Sequence, residues 1–535
     1  MLKCQSPWLL VLVTHALSLP DIVLFVADDV DAESFYRTSP QIQELANSGI
    51  KFERALSPSP LCTPARYSLL TGAYAARAAP DNGASVRHVF FNTRIAGGPT
   101  IATELKRAGY KTIFAGKWHT GGTAPGKTHW GPKETWEKAV RERHEQDRAT
   151  IARVGGFDHV RSVYGGNVDS AQLLPKEWSV HNPEYQLREA TRAISRVKAK
   201  NASAPFFLYF ASTLPHGQGW VPPTESAARA TPAGLLSNNV TDIVRARKKT
   251  NAMYRRTRKP GRYYLTLNEA LRALRKALTK LALEDLLFVA TADHAVLAKG
   301  HAYRDGVTVP LVVTWPRGVA GARRVVTEPV SLLDLAPTLL DAAGLDTPRR
   351  PAFFDGVSLL KLLRAPPGSA MNLAARKNLA ARAHFTDIGY SRAVHAEGHT
   401  LLAVFDVPNT KDDCRVHASG LPISEKARKG GFDSKTQIYG ALRAHPQYCD
   451  RVQLYNLTND AAEKHNLACS RSCVGERKRC SRMVSRLRAA LVEHVDAIEG
   501  KGVNATAARL AALYSNACGP SAGEPSTSET RNQRG

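Results

Sequence analysis

Asp21-Ile22-Val23-Leu24-Phe25-Val26-Ala27-Asp28-Asp29 is the stretch on which the fold turns. No polar residue interrupts the run from Ile22 to Ala27, so it lacks the alternation of a strand with one wet face and reads as a strand buried on both. Asp28 and Asp29 then fall at its C-terminal end, where open α/β sheets place their ligands. The same arrangement recurs three times. Lys111 to Ala115 runs into Gly116-Lys117-Trp118-His119, Pro205 to Ala211 leads to Pro215-His216, and Leu286 to Thr291 ends in Asp293-His294. A single His or Asp after a strand is usually a turn residue or a cap. Four such clusters, separated by helical stretches, point to a parallel sheet with one shared ligand edge. Pro99 to Ala108 reads as a helix with proline in its first turn and Gly109 as its stop. A second helix, from about Leu265 to Leu283, carries Leu267, Leu271, Leu274 and Leu278 on one face and supplies a crossover, and Val307 to Trp315 reads as a further strand.

The 535 residues, 43% apolar and 22% charged, describe a soluble globular chain long enough for two domains. Met1-Leu2-Lys3, the apolar run Trp8 to Val13 and Ala16-Leu17-Ser18 have the order of a signal peptide over residues 1–18, with a buried first strand as the alternative. That run is too short to span a bilayer, and no other segment approaches the length, so no stable membrane anchor is expected. A net charge of +26 attracts polyanions of any kind. For a secreted chain, a sulfated polysaccharide fits better than nucleic acid. The densest basic stretch, Arg245 to Arg262, reads equally as a solvated loop when taken alone. Cys4 leaves with the signal, and Cys414, Cys449, Cys469, Cys473, Cys480 and Cys518 lie late in the chain. They are expected to form up to three disulfides in a C-terminal domain, with a zinc site at Cys469-x-x-x-Cys473 as the rival. Sequons at Asn201, Asn239, Asn456 and Asn504 favour the same oxidising compartment. The expected organisation is a catalytic domain over 19–380 that ends in a linker from about Arg364 to Arg382. A C-terminal α+β subdomain over 381–517 and a disordered tail over 518–535 follow.

Leu61-Cys62-Thr63-Pro64-Ala65-Arg66-Tyr67-Ser68-Leu69-Leu70-Thr71-Gly72 resembles the sulfatase signature, Cys-x-Pro-x-Arg followed by Leu-Leu-Thr-Gly. Further blocks resembling that family occur in its order over residues 20 to 470. They include Leu332 to Leu340, Phe354 to Leu359 and Leu454 to Asp460. The resemblance implies an alkaline phosphatase-like α/β fold, with a large, mostly parallel mixed sheet flanked by helices. It implies oxidation of Cys62 to formylglycine by the formylglycine-generating enzyme of the secretory pathway. A calcium ion is implied too, held by Asp28, Asp29, Asp293, His294 and residue 62, although nitrogen is a poorer calcium partner than oxygen. Arg66, one helical turn after Cys62, would bind and orient the aldehyde hydrate. Lys117 and His119 match the family's Gly-Lys-Trp-His block, on one face if strand alternation holds. His216 matches the His after Leu-Pro. Lys299 opens Lys299-Gly300-His301-Ala302-Tyr303-Arg304-Asp305-Gly306-Val307-Thr308-Val309-Pro310, in which Arg304 and Asp305 replace the family's usual acid and glycine.

The chemistry implied is cleavage of a sulfate monoester, either an aryl sulfate or a sulfated sugar. One hydroxyl of the hydrated aldehyde attacks sulfur, Lys299 and His216 contact the sulfate and protonate the leaving oxygen, and His119 takes the proton that lets the second hydroxyl expel sulfate. The location implied is secreted or a lysosome-like compartment. Two rivals stand beside this reading. A phosphomonoesterase or phosphodiesterase on the same fold would place Ser or Thr at the nucleophile. A non-catalytic secreted binder of sulfated glycans would have no need to retain each of these polar positions.

Overall fold

The computed structural model describes residues 19–78, 93–121, 129–168, 175, 178, 181–216, 230–235, 259–345, 354–388, 391–404, 432–433, 438–439, 445, 447, 450–468 and 477–499. The proposed signal peptide, most of the basic stretch, the sequons Asn239 and Asn504, five of the six late cysteines and the tail lie outside these residues.

Asp21–Ala27 forms β1, buried along its whole length. Then come β2 (Ile50–Leu56), β3 (Lys111–Lys117), β4 (His159–Tyr164), β5 (Phe206–Ala211), the short hairpin β6 (Ala230–Thr231) and β7 (Gly234–Leu235), β8 (Leu286–Ala292), β9 (Thr308–Thr314), β10 (Arg324–Val326) and β11 (Val330–Ser331). Nine of these make one sheet in the order β10-β2-β9-β8-β1-β5-β3-β4, with β11 also on β2. Every pairing is parallel except those of β9, which runs antiparallel to both β8 and β2. The sheet is therefore mixed and mostly parallel, as expected.

Register decides where the polar residues emerge. Ala27 pairs with Ala292, Val26 with Ala211, and Gly116 with Ala211, so Asp28, Ser212, Asp293 and Lys117 leave the sheet at one level. Gly116 is required there. Its φ is +121°, and a Cβ would lie 1.8 Å from the Ala211 carbonyl oxygen. The core behind this edge is apolar and aromatic, with Phe25 stacked on Phe210 at 5.5 Å. Helices Pro40–Ser48, Pro183–Lys200 and Lys259–Lys280 pack together as one flanking group, and Cys62–Thr71, Ile101–Arg107 and Leu335–Ala342 as another.

Residues 364–382 are not a linker. Ala370–Ala380 is a helix whose N-cap, Ser369, accepts from Asn372 N, and Leu379 joins the main core. The alanines that suggested a linker are also the strongest helix formers, and one buried leucine anchors the segment. After it, β12 (His384–Asp387), β13 (Ser391–Ala396) and β14 (His399–Val404) pair in turn. A small ladder, β15 (Phe432–Asp433) and β16 (Ile438–Tyr439), precedes β17 (Val452–Asn456), which closes an antiparallel sheet β12-β13-β14-β17. One face packs Val394, Leu401, Ala403 and Leu454 on Leu487, Leu491 and Val495 of helix Arg477–Glu499. The other packs Ala393, Leu402, Val404 and Tyr455 on Ala298, Ala302 and Tyr303. Cys480 is buried in the first of these clusters and is engaged with a partner outside the described residues.

Candidate active site

Cys62 is the first residue of helix Cys62–Thr71 and is 1% exposed. Pro64 suits the first turn, where a missing amide hydrogen leaves nothing unsatisfied. Gly72 ends the helix in the left-handed region at φ +69°, and a Cβ there would meet the Phe354 ring at 2.7 Å. The helix thus starts at the sheet edge, and Cys62 Sγ lies 3.2 Å from His294 Nε2 and 3.8 Å from Asp29 Oδ1.

All ten residues singled out from the sequence converge here. Lys117 Nζ donates to both oxygens of Asp28, at 2.9 and 2.7 Å. Lys299 Nζ donates to Asp29 Oδ2 at 2.6 Å. Arg66 reaches back over one turn, its Nε donating to Asp293 Oδ2 at 3.0 Å and its Nη2 lying 3.2 Å from Asp28 Oδ1. Its direct hold is therefore on the carboxylates. His216 Nε2 stands 3.7 Å from Asp29 Oδ2. Asp29 adopts φ +63°, and its N–H donates to Asp293 Oδ1 at 3.1 Å, an oxygen that also accepts from His294 N at 2.9 Å. That left-handed turn brings the two acidic pairs together.

One expectation fails in its reasoning. Lys117 is the last residue of β3, and His119 lies beyond it at φ +54° with its N–H on Gly165 O, so pleat alternation does not relate the two. His119 is nonetheless close enough to feel both Lys117 and Arg66. Sequence reasoning also missed His181. It is 2% exposed, its Nδ1 lies 3.0 Å from Thr213 Oγ1, and it bonds the backbone of His216. Among the described residues no strand runs directly into it, so the strand-end rule had no means of finding it.

The electrostatics follow from packing three carboxylates and three permanent cations into a dry edge. Burial alone would raise Asp28, but Lys117 and Arg66 pull it far below the usual carboxylate range. Asp29 resists burial in the same way, held low by Lys299, His216 and His294. Burial pushes His119 well below its usual value, and Lys117 and Arg66 add to that, which favours the neutral ring. His216 is also lowered, by burial first. His294 goes the other way. Against burial, Asp293, Cys62 and Asp29 hold it well above its ordinary value.

The donor set suits a divalent cation. Asp28, Asp29 and Asp293 form one group, Cys62, Asp293 and His294 another, and Asp29, Cys62 and His216 a third, each with ligand atoms within 4.8 Å of one another. His294 Nδ1 lies 2.8 Å from the Ala295 carbonyl oxygen and its Nε2 3.0 Å from Asp29 Oδ1, so both nitrogens face acceptors. Such a ring keeps its Nδ1 proton on the carbonyl and can exchange the Nε2 proton for a metal, the orientation usual for a ligating histidine.

Known proteins resemble this chain over most of its length. The sulfatase family model matches residues 20–345. An ulvan-active sulfatase of Formosa agariphila is 24% identical over 456 residues, covering 84% of this chain and 76% of its own length. Human arylsulfatase A is 27% identical over 482 residues, covering 84% and 83%. Among solved structures, the putative sulfatase yidJ from Bacteroides fragilis superposes with a TM-score of 0.58 at 18% identity, covering 94% of this chain and 99% of that one. Ps i-CgsB in complex with k-i-k-neocarrahexaose gives 0.56 at 20% identity, covering 93% and 98%. These likenesses establish the alkaline phosphatase-like fold, and with the family match they make this chain a member of the sulfatase family, a hydrolase of sulfate esters.

Proposed function

We propose that the enzyme cleaves sulfate monoesters of a sulfated sugar or polysaccharide, with aryl sulfates as small alternative substrates, using formylglycine at position 62 and one Ca²⁺. The observation that carries this reading is the position of Cys62. It stands buried at a helix start, within 3.8 Å of Asp29 and 3.2 Å of His294, where four strand-end clusters meet. Asp28, Asp29, Asp293, His294 and residue 62 would hold the ion, which supplies charge stabilisation and an activated hydroxyl at residue 62.

The chain's own side chains do the rest. Arg66 pairs with Asp28 and Asp293 and aims both carboxylates. Lys117 and Lys299, each one hydrogen bond from a carboxylate, provide fixed cations for the three sulfate oxygens on which charge collects. His216, together with Lys299, stands on the side of Asp29 where a leaving oxygen can be protonated. His119, neutral at its station, accepts the proton whose loss frees sulfate from residue 62. His181 positions the segment Thr213 to His216.

A sulfated saccharide is supported by the net charge of +26 and by the named activity of the ulvan-active relative. The formylglycine reading brings with it the maturation enzyme, a signal peptide over 1–18 and a secreted or lysosome-like location, and the C-terminal cysteines are proposed to pair as disulfides. Sulfate release from a panel of sulfated glycans and aryl sulfates, measured with and without chelator and against phosphate release from matched phosphate esters, tests the whole. Chelator-sensitive sulfate release is expected. Preferential phosphate release would establish the phosphoesterase reading, and tight glycan binding without turnover the non-catalytic one.

A further inference from the structure

Arg304 and Asp305, two of the replacements in the Lys299 block beside Thr308 for a common arginine, point to different surroundings. Asp305 meets His445 Nε2 at 3.0 Å. Arg304 donates its backbone N–H to Glu463 Oε2 at 2.8 Å, and its side chain lines an open cleft of about 560 Å³ shared with Arg54, Glu53, Thr327 and Thr458. Arg54 reaches the cleft from β2, anchored by a hydrogen bond from its Nε to the Thr327 carbonyl oxygen. Burial pushes Arg54 below its usual value, and the charge of Arg304 pushes it further.

The nearby acids Glu53 and Glu328 offset the push of Arg304 on Arg54, each by less than Arg304 exerts, and each has a cation of its own. Glu53 pairs with Lys51 at 3.4 Å, and Glu328 with Arg376 at 2.8 Å. Among the described residues, the Arg304 guanidinium has no hydrogen bond or ion pair. Two half-buried guanidinium groups therefore repel one another across a solvent-open space, which an anion between them would reverse. Planar forks of donors match the oxygens of a tetrahedral oxyanion.

We propose that the Arg54–Arg304 cleft is a second anion site that takes a sulfate group borne on a saccharide chain. The ligand class rests on the function proposed above; the anion site itself rests on the arginines. Arg304 is five positions after Lys299, which limits the span between their Cα atoms to about 18 Å. A sulfated oligosaccharide, which carries several esters on one chain, is the ligand assigned to this cleft.

The test is equilibrium binding of a heparin-derived sulfated tetrasaccharide to the whole chain, to Arg54→Gln, to Arg304→Gln and to Arg304→Lys. Melting temperature serves as the folding control. Each glutamine variant should bind about tenfold more weakly while melting as the wild type does, and Arg304→Lys should recover part of the loss. Lys138→Gln removes one exposed charge on helix Trp136–Gly155 and should leave binding unchanged. Equal weakening by Lys138→Gln, or no weakening by either arginine variant, would overturn the site. Loss of the wild-type advantage in millimolar inorganic sulfate would assign the cleft to the free ion and overturn the saccharide source. Binding is read without turnover, so an enzyme that hydrolysed none of the panel would defeat the proposed function and leave this result standing.

Discussion

The edge of the large sheet and the face of the small one both bury polar clusters, and they are built from opposite materials. At the edge, Asp28, Asp29 and Asp293 are matched by Arg66, Lys117 and Lys299 in buried ion pairs. At the small sheet, Gln453 Oε1 accepts from Tyr303 at 2.7 Å and from Tyr455 at 2.6 Å, while Tyr303 stacks on His445 at 3.6 Å between ring centres. Those contacts are hydrogen bonds between uncharged groups and a ring stack. The charged cluster is arranged for chemistry and holds together only while its balance is kept; the neutral one is arranged for position. The segment from Lys299 to Arg304 joins them, with its lysine in the first and its tyrosine in the second. Placement of a proposed catalytic cation is thereby tied to the small sheet, which supplies none of the paired charges at the edge.

The largest effects should come from breaking the balance at the charged edge. Asp28→Ala or Asp293→Ala leaves Arg66 and the neighbouring cations uncompensated and removes a proposed metal ligand, so turnover should be abolished. Circular dichroism should show a folded chain, and full activity of either variant in chelator would mean that the metal lies elsewhere. Next come the lysines. Lys117→Ala and Lys299→Ala should each lower kcat on the order of a hundred- to a thousandfold. If Lys299 assists protonation, its loss should be greater on a sugar sulfate than on an activated aryl sulfate, while Lys117→Ala should show no such dependence. Equal losses for Lys299→Ala on both substrates would leave His216 as the acid.

The neutral cluster should respond through stability. Burial raises Glu463 from 4.5 to about 7. Between those values the unfolded chain has released the proton that the native state keeps, so stability falls as pH rises from 4.5 to about 7. Tm against pH should show this decline in the wild type and a flatter profile in Glu463→Gln. An identical slope in both would remove Glu463 from the account. Smallest of all, Tyr303→Phe deletes one buried hydrogen bond and should cost about 1 kcal/mol in denaturant unfolding, with a several-fold fall in kcat if position is what the small sheet supplies. An unchanged kcat would separate the two regions functionally.

The same contrast explains what could be read from the chain. Strand ends were legible because a fully apolar run and the polar residue after it are neighbours in sequence, as at Ala27-Asp28 and Ala292-Asp293. The direction of β9 was not, since Thr308–Thr314 reads as a buried strand whichever way it runs. The alanines of Ala370–Ala380 suggested a linker because the buried face of that helix is little more than Leu379 and Asn372. His181 and the Tyr303–Gln453 contact depend on residues brought together over long separations, and no local pattern announces them.

The identity of residue 62 is the claim on which the rest depends. Protein produced through a secretory pathway should be digested and the peptide carrying position 62 analysed by mass spectrometry after treatment with an aldehyde-reactive probe. The expected result is a probe adduct on that peptide in active preparations, in proportion to their activity. Fully active protein whose residue 62 is found only as a free thiol would contradict the mechanism.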